Sequence, residues 1–178
     1  EHERFVPDRR GRRFRFDCEE VSMAPTMSLE EFAQFWDKSE YVSPYNRELG
    51  LQPHSVRPDW CVLKVEYARN LVGDPNTRVL HGGVITALLD AAFGFSIFVK
   101  MSQVRPMATL DLRIDYLKPA TPDKAVLGGA VCYKLTADLA FVRGCAYHES
   151  VDDPIATAVG IFMFTDGPTL ISNEQVAR

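Results

Sequence analysis

One histidine, two glycines and one aspartate lie close together in the segment HGGVITALLD, which begins at His81. Gly82 and Gly83 have no side chains, so the backbone there can approach a ligand closely. If a helix begins at this point, its first turn offers free N–H groups and the positive end of the helix dipole. Such a turn would stabilise a carbonyl oxygen that gains negative charge, as in an oxyanion hole. The same glycines could also form only a tight turn between a strand and a helix.

Asp90 stands inside a long apolar run. Most residues from position 84 to position 99 are apolar, and the polar exceptions are Thr86, Asp90 and Ser96. This pattern predicts a helix over residues 83–100 that is buried on most sides. A buried carboxylate is costly unless it has partners, so Asp90 could be a structural acid that pairs with a group in the core. A lone acid near a glycine-rich helix start is also typical of a functional site, and we favour that interpretation.

The spacing of Gly83 and Asp90 limits how the two can act together. They are seven residues apart, which is two helical turns, so they share one face of the predicted helix. At a rise of about 1.5 Å per residue, roughly 10 Å separates them along the axis, too far for both to act on one carbonyl carbon. Two such helices packed antiparallel would bring Gly83 of one chain near Asp90 of another. We therefore predict a site shared between the subunits of a two-fold dimer.

The rest of the chain predicts one helix-covered sheet. A capping-box pattern at Ser28 and Glu31 predicts a helix over residues 28–39, followed by a second short helix. Alternating patterns predict two strands, over residues 60–68 and 107–117, and three further runs are also predicted to be strands. The short joints between the last four strands imply that these are antiparallel neighbours. In the second strand, Leu110, Leu112, Ile114 and Tyr116 are predicted to share one face. The predicted strands cover residues 60–68, 107–117, 124–135, 139–150 and 154–165.

Composition and charge exclude several classes of function. The 178 residues are 46% apolar and 25% charged, which is typical of one globular domain. A formal net charge of -4 argues against nucleic acid as a partner. The apolar run is short and Asp90 interrupts it, so we expect no membrane span. The N-terminus lacks a signal-peptide pattern, which predicts a cytoplasmic protein, or one in an organelle lumen if a leader is removed before Glu1. The four cysteines lack C-x-x-C spacing, which argues against a zinc site.

The segment LHGGVITALLDAAFG, followed by MATLDLRIDYLKPA, resembles the hot-dog-fold acyl-CoA thioesterases, in the PaaI-like branch related to phenylacetyl-CoA thioesterase. The resemblance rests on HGG, on an acid nine residues after the histidine, and on an alternating strand that ends in Tyr-Leu-x-Pro. It implies an α+β fold in which an antiparallel sheet wraps around a long central helix. We predict an N-terminal extension with a helix (1–43), a hot-dog domain (44–168) and a C-terminal tail (169–178).

The same resemblance implies hydrolysis of an acyl-CoA thioester, with no metal and no redox cofactor. Asp90 would be the general base or the nucleophile, and the N–H of Gly83 would polarise the thioester carbonyl. His81 would shape the turn and could hydrogen-bond near the thioester. Thr109, at the start of the next strand, would position water or the acid.

Further residues are candidates for binding the substrate. Many family members have an asparagine six residues before the histidine, whereas here that position is Pro75 and Asn76 lies five before it. Gly82 lies in the turn that would face the thioester. The phosphates of CoA need cations near the mouth of the site, and the candidates on or beside the strands are Arg113, Lys118 and Arg143.

Three other functions fit the same residues less well. The chain could be an acyl-CoA-binding or assembly module that keeps the fold without turnover, or a hot-dog dehydratase or hydratase. Residues 1–43 could also be an arm that docks another protein. In each case we expect a homo-oligomer, either a dimer or a tetramer.

Overall fold

The computed structural model describes residues 5–7, 13–15, 28–38, 42–57, 59–101, 103–165 and 171–172. Its helices and strands, in chain order, are β1 (Phe5–Pro7), β2 (Arg13–Arg15), α1 (Leu29–Lys38), α2 (Pro44–Glu48), β3 (Leu51–Ser55), β4 (Cys61–Val65), α3 (Gly82–Met101), β5 (Gln103–Val104), β6 (Met107–Tyr116), β7 (Val126–Leu135), β8 (Leu139–Tyr147), β9 (Ala156–Phe164) and β10 (Ile171–Ser172). A single 3-10 turn, Arg69–Leu71, lies between β4 and α3.

Six strands form one antiparallel sheet in the order β3-β4-β7-β8-β9-β6. The long helix α3 packs across five of them, most closely against β7, β4 and β8. This is the α+β architecture that the resemblance implied, an antiparallel sheet around a long central helix. By length and composition alone α3 could also cross a membrane, a test that the core helix of a folded domain passes as well.

Glycines in the central strands let α3 approach the sheet closely. A side chain at Gly128 of β7 would collide with Leu88, and one at Gly144 of β8 or Gly160 of β9 would press on the ring of Phe93. Leu88 and Phe93 are both fully buried. Burial of such side chains supplies much of the favourable free energy of folding. The packing therefore fixes the position of α3, and of the residues it carries, relative to the sheet.

The predicted helices and the five predicted strands are confirmed, but one predicted neighbour is wrong. The joint after β6 does not lead to an adjacent strand, because β6 pairs with β9 whereas β7 pairs with β4 and β8. The chain crosses the end of the sheet instead. The N–H groups of Leu117 and Lys118 both donate to the carbonyl of Ile155, and the N–H of Thr121 donates to Nε2 of His148. These bonds hold the connection across the ends of β9 and β8.

The N-terminal helix α1 packs into the core of the domain. Phe32 is only 1% exposed, and its ring stacks on Phe95 of α3 with 3.6 Å between centroids. Trp36 donates from Nε1 to the carbonyl of Leu51 in β3, at 3.0 Å. Much of the predicted extension (1–43) and the predicted tail (169–178) fall outside the described residues, so the predicted domain boundaries stay predictions.

Candidate active site

The carboxylate of Asp90 faces the edge strand β6. The hydroxyl of Thr109 donates a hydrogen bond to Asp90 Oδ1 at 2.8 Å. Asp90 is only partly buried, which differs from the sequence expectation of a wrapped, inaccessible acid. The reason is that β6 lies at one edge of the sheet, so this side of α3 is partly open to solvent. A hydrogen-bonded carboxylate with access to solvent can react with water or with a ligand.

A β-bulge in β6 points Thr109 toward the helix. The register with β9 shifts between Thr109 and Asp111, which leaves Leu110 as the extra residue. Leu110 is 54% exposed, whereas Leu112 and Ile114 pack against the core. The prediction that Leu110 shares their face is therefore wrong. With regular alternation Thr109 would point away from the core, and the bulge reverses its direction.

The HGG segment forms the first turn of α3, as predicted, but its key N–H group has a partner. The N–H of Gly83 donates to Nδ1 of His81 at 2.9 Å. A neutral imidazole that accepts at Nδ1 carries its proton at Nε2. A Cβ atom at position 83 would lie 2.8 Å from His81 Nδ1, so only glycine allows this close approach. The expectation of a free N–H at this turn is therefore wrong for Gly83.

Two hydroxyl groups hold the opposite side of the same turn. Tyr116, the last residue of β6, donates to the carbonyl oxygen of Gly82 at 2.7 Å. Thr86 Oγ1 lies 3.2 Å from that carbonyl oxygen and 3.0 Å from Tyr116 Oη. The sequence analysis gave neither residue a role. The signals were present, because Thr86 lies midway between Gly82 and Asp90 at the helical period and Tyr116 belongs to the Tyr-Leu-x-Pro motif.

Together these contacts form a seam between α3 and β6. Positions 82, 86, 90 and 94 recur every four residues on one helix face, and they meet Tyr116, Thr109 and Met107 in reverse order along β6. Of the predicted residues, Gly82, Asp90 and Thr109 thus lie on this seam, whereas His81 and Gly83 contact each other in the first turn of α3. Within the described part of the chain, no group of three His, Cys, Asp or Glu side chains converges to hold a metal ion.

Asn76 lies in the loop before the HGG turn. Its N–H donates to Asp74 Oδ1 at 3.0 Å, and Thr77 Oγ1 donates to Asp74 Oδ2 at 2.8 Å. These bonds lower the pKa of the Asp74 carboxyl, and the bond from the Asn76 backbone N–H has the largest effect. The contacts of Asn76 seen here thus organise its own turn, and its role toward a substrate stays a prediction.

The three predicted CoA-binding cations do not converge on Asp90 within one chain. Arg113 alternates with Leu112 and Ile114, so it points to the sheet face opposite α3, where it pairs with Asp115. Arg143 also points away from α3, since its neighbour Gly144 faces Phe93, and its guanidinium lies over the ring of Tyr133. Lys118 pairs with Asp153 beyond the end of β6. Any contact of these residues with CoA stays a prediction.

Three cysteines are buried in the strands and take no part in the seam. Burial raises the pKa of each thiol well above its ordinary value, because the thiolate is poorly solvated inside the protein. The raised pKa values are about 12, 11 and 12 for Cys61, Cys132 and Cys145. These thiols therefore behave as small apolar side chains.

Comparisons with known proteins match the segment that carries these residues. The chain matches the model of the thioesterase superfamily over residues 78–155, which contain the HGG turn, α3 and β6. The medium/long-chain acyl-CoA thioesterase YigI of Escherichia coli is 30% identical over 97 residues, which cover 47% of this chain and 63% of that protein. The chain thus matches less than two thirds of the length of this relative.

Solved structures show the same fold. A protein from Pseudomonas aeruginosa is similar with a TM-score of 0.67 and 36% identity, over 77% of this chain and 98% of that chain. A mutant of the phenylacetic acid degradation protein PaaI from Thermus thermophilus is also similar, with a TM-score of 0.59 and 25% identity. The match covers 69% of this chain and 100% of that chain. With its sheet around one central helix and these matches, the chain has the hot-dog fold, and its residues 78–155 are similar to the thioesterase superfamily.

Proposed function

We propose that this chain hydrolyses acyl-CoA thioesters to the free acid and CoA, with Asp90 as the reacting carboxylate. The observation that carries the proposal is the bond from Thr109 to Asp90 Oδ1 at 2.8 Å, on the helix face that also carries the HGG turn. A carboxylate fixed in this way at a partly open seam is poised for reaction. The named acyl-CoA thioesterase among the relatives supports the choice of substrate class.

Asp90 could act by two routes, and the atoms and protons balance in each. As a general base it takes a proton from water, and the resulting hydroxide oxygen bonds to the thioester carbon. The C–S bond then breaks, and the CoA thiolate receives the proton from Asp90. As a nucleophile, Asp90 bonds to the carbon itself and expels the thiolate, and water then hydrolyses the mixed anhydride. Thr109 donates to Oδ1, which favours Oδ2 as the reacting oxygen in either route.

The N–H of Gly83 would stabilise the negative oxygen of the tetrahedral intermediate. Because this N–H donates to His81 Nδ1, the thioester carbonyl must replace the imidazole as the acceptor. His81 therefore satisfies this donor, and its ring turns aside when substrate binds. This role is one of support and involves no proton transfer to the substrate.

We also propose that two chains share each site. Gly83 and Asp90 are about 10 Å apart along α3, given the rise of an α-helix, so one chain cannot place both on the same carbonyl. The edge of β6 supports a second copy as the partner. It is ten residues long and pairs with one neighbour only in the described sheet, and long open edges favour pairing with another strand. A two-fold dimer joined there would bring two antiparallel α3 helices together.

A thiol-release assay tests the proposed reaction. The panel contains short, medium and long acyl-CoAs and an aromatic one, since the relatives include a medium/long-chain thioesterase and a phenylacetic acid degradation protein. We expect turnover of at least one member, with acid and CoA released in equal amounts. Binding of acyl-CoA by calorimetry without any turnover would refute hydrolysis and favour a binding module. Release of water or its addition across a double bond would favour a dehydratase or hydratase.

A further inference from the structure

Tyr116 is an exposed residue whose hydroxyl donates a hydrogen bond to the first turn of α3. Half of its surface is accessible, 50%, yet its hydroxyl reaches the carbonyl oxygen of Gly82 at 2.7 Å. The hydroxyl of Thr86, one helical turn later, closes a triangle of three oxygens with it. Such a cluster contributes little to core packing, because half of the surface of Tyr116 is exposed to solvent.

The carbonyl that Tyr116 holds belongs to the same peptide group as the N–H of Gly83. A trans peptide is planar, and its C=O and N–H bonds point in opposite directions. Fixing the Gly82 carbonyl from the β6 side therefore fixes the direction of the Gly83 N–H on the other side. This control matters most at the start of a helix, where the first N–H groups have no partner within the helix and the end tends to fray.

The hydrogen bonds also change the strength of the donor. A carbonyl that accepts strong hydrogen bonds polarises its own amide, so the N–H of the same group becomes a better donor. That N–H donates to His81 Nδ1 at 2.9 Å. The peptide between Gly82 and Gly83 is thus held at both ends, by hydroxyl donors at its oxygen and by an acceptor at its nitrogen.

We propose that Tyr116, assisted by Thr86, is a positioning residue that aims and polarises the Gly83 N–H at the developing oxyanion. The proposal rests on the proposed thioester hydrolysis and adds to it a residue that never touches the reacting atoms. When the imidazole of His81 turns aside for substrate, the hydroxyl pair keeps the peptide in place. The donor then needs no reorganisation as charge develops on the carbonyl oxygen.

The test is Tyr116→Phe, which removes only the hydroxyl, compared with Tyr133→Phe on the opposite sheet face. Tyr133 is exposed to the same degree, 49% against 50%, so it is a matched control. Loss of a direct oxyanion donor costs about 10²–10³ in kcat, so loss of its support should cost about tenfold. KM should change by less than twofold, since the effect appears as charge develops. Thr86→Val should lower kcat in the same direction.

A second readout follows the peptide itself. Selective ¹⁵N-glycine labelling gives at most eleven amide signals, and Gly83→Ala identifies the signal of position 83. We expect this signal to shift in Tyr116→Phe and to stay unchanged in Tyr133→Phe. The proposal is overturned if the Gly83 signal does not move, or if the loss in Tyr116→Phe appears in KM alone. If the unmodified chain hydrolyses no thioester, the proposed function fails, and the amide shift alone then decides whether Tyr116 positions Gly83.

Discussion

The hydroxyl of Thr109 offers the sharpest test of how the seam works. Thr109→Val removes the donor to Asp90 and keeps a β-branched side chain of nearly the same shape, which suits a strand. A hydrogen bond to a charged group contributes about 1.5–3 kcal/mol. Because Thr109 and Asp90 are both open to solvent on one side, the low end applies. About 1.4 kcal/mol corresponds to a tenfold loss of kcat/KM, and that is the loss we expect.

The measurement is initial-rate thiol release with the best acyl-CoA of the panel. Thr109→Ser is the matched control, since it keeps the hydroxyl and should retain at least half of the wild-type rate. Urea unfolding of both variants shows whether the edge strand is intact. The reasoning is refuted if Thr109→Val hydrolyses the thioester within twofold of wild type, or if Thr109→Ser loses as much activity as Thr109→Val.

Three further outcomes are expected. Asp90→Ala and Gly83→Pro chains, each inactive alone, are mixed in equal amounts and reassembled. The mixture should recover about a quarter of the wild-type rate, because half of the dimers are mixed and each mixed dimer has one intact site of two. No recovery would contradict a shared site. Phe32→Ala should lower the free energy of unfolding in urea by about 3 kcal/mol, and a loss below about 1 kcal/mol would show that α1 is not part of the core. With Cys18→Ser, the native chain should not react with a thiol reagent at pH 8, because burial raises the pKa of the three strand cysteines; fast reaction without denaturant would contradict their burial.

The helix and most strands could be predicted because their patterns are strong and local. The length of the apolar run predicts α3, and the alternation of apolar and polar residues along Met107–Tyr116 predicts β6. The strand β3 was missed, since Pro53 and a nearby register shift hide its pattern, and a proline is tolerated there because β3 is an edge strand. The wrong neighbour of β6 has a similar cause, because the path of a loop across a sheet end leaves no periodic signal.

The residues of the candidate site could be proposed from the sequence, but their contacts could not. Lone Asp90 and the paired glycines are visible in sequence, because an acid in an apolar helix and a glycine pair are both unusual. The bulge at Leu110 is not visible, since it appears as regular alternation until the register with β9 is known. The bond between Gly83 and His81 depends on a side-chain orientation, which sequence does not specify. Tyr116 reaches Gly82 only because β6 runs antiparallel to α3 along the seam.

The central claim is that the carboxylate of Asp90 carries out the hydrolysis of an acyl-CoA thioester, and Asp90→Asn tests it most directly. This variant keeps the shape and can still accept the hydrogen bond of Thr109, but it cannot act as a base at neutral pH and is a poor nucleophile. The measurement is steady-state thiol release, and Asp111→Asn, on the same strand β6, is the control. We expect Asp90→Asn to reduce kcat by about 10²–10⁴-fold. Asp111→Asn should leave kcat unchanged. A rate for Asp90→Asn within tenfold of wild type would contradict the claim.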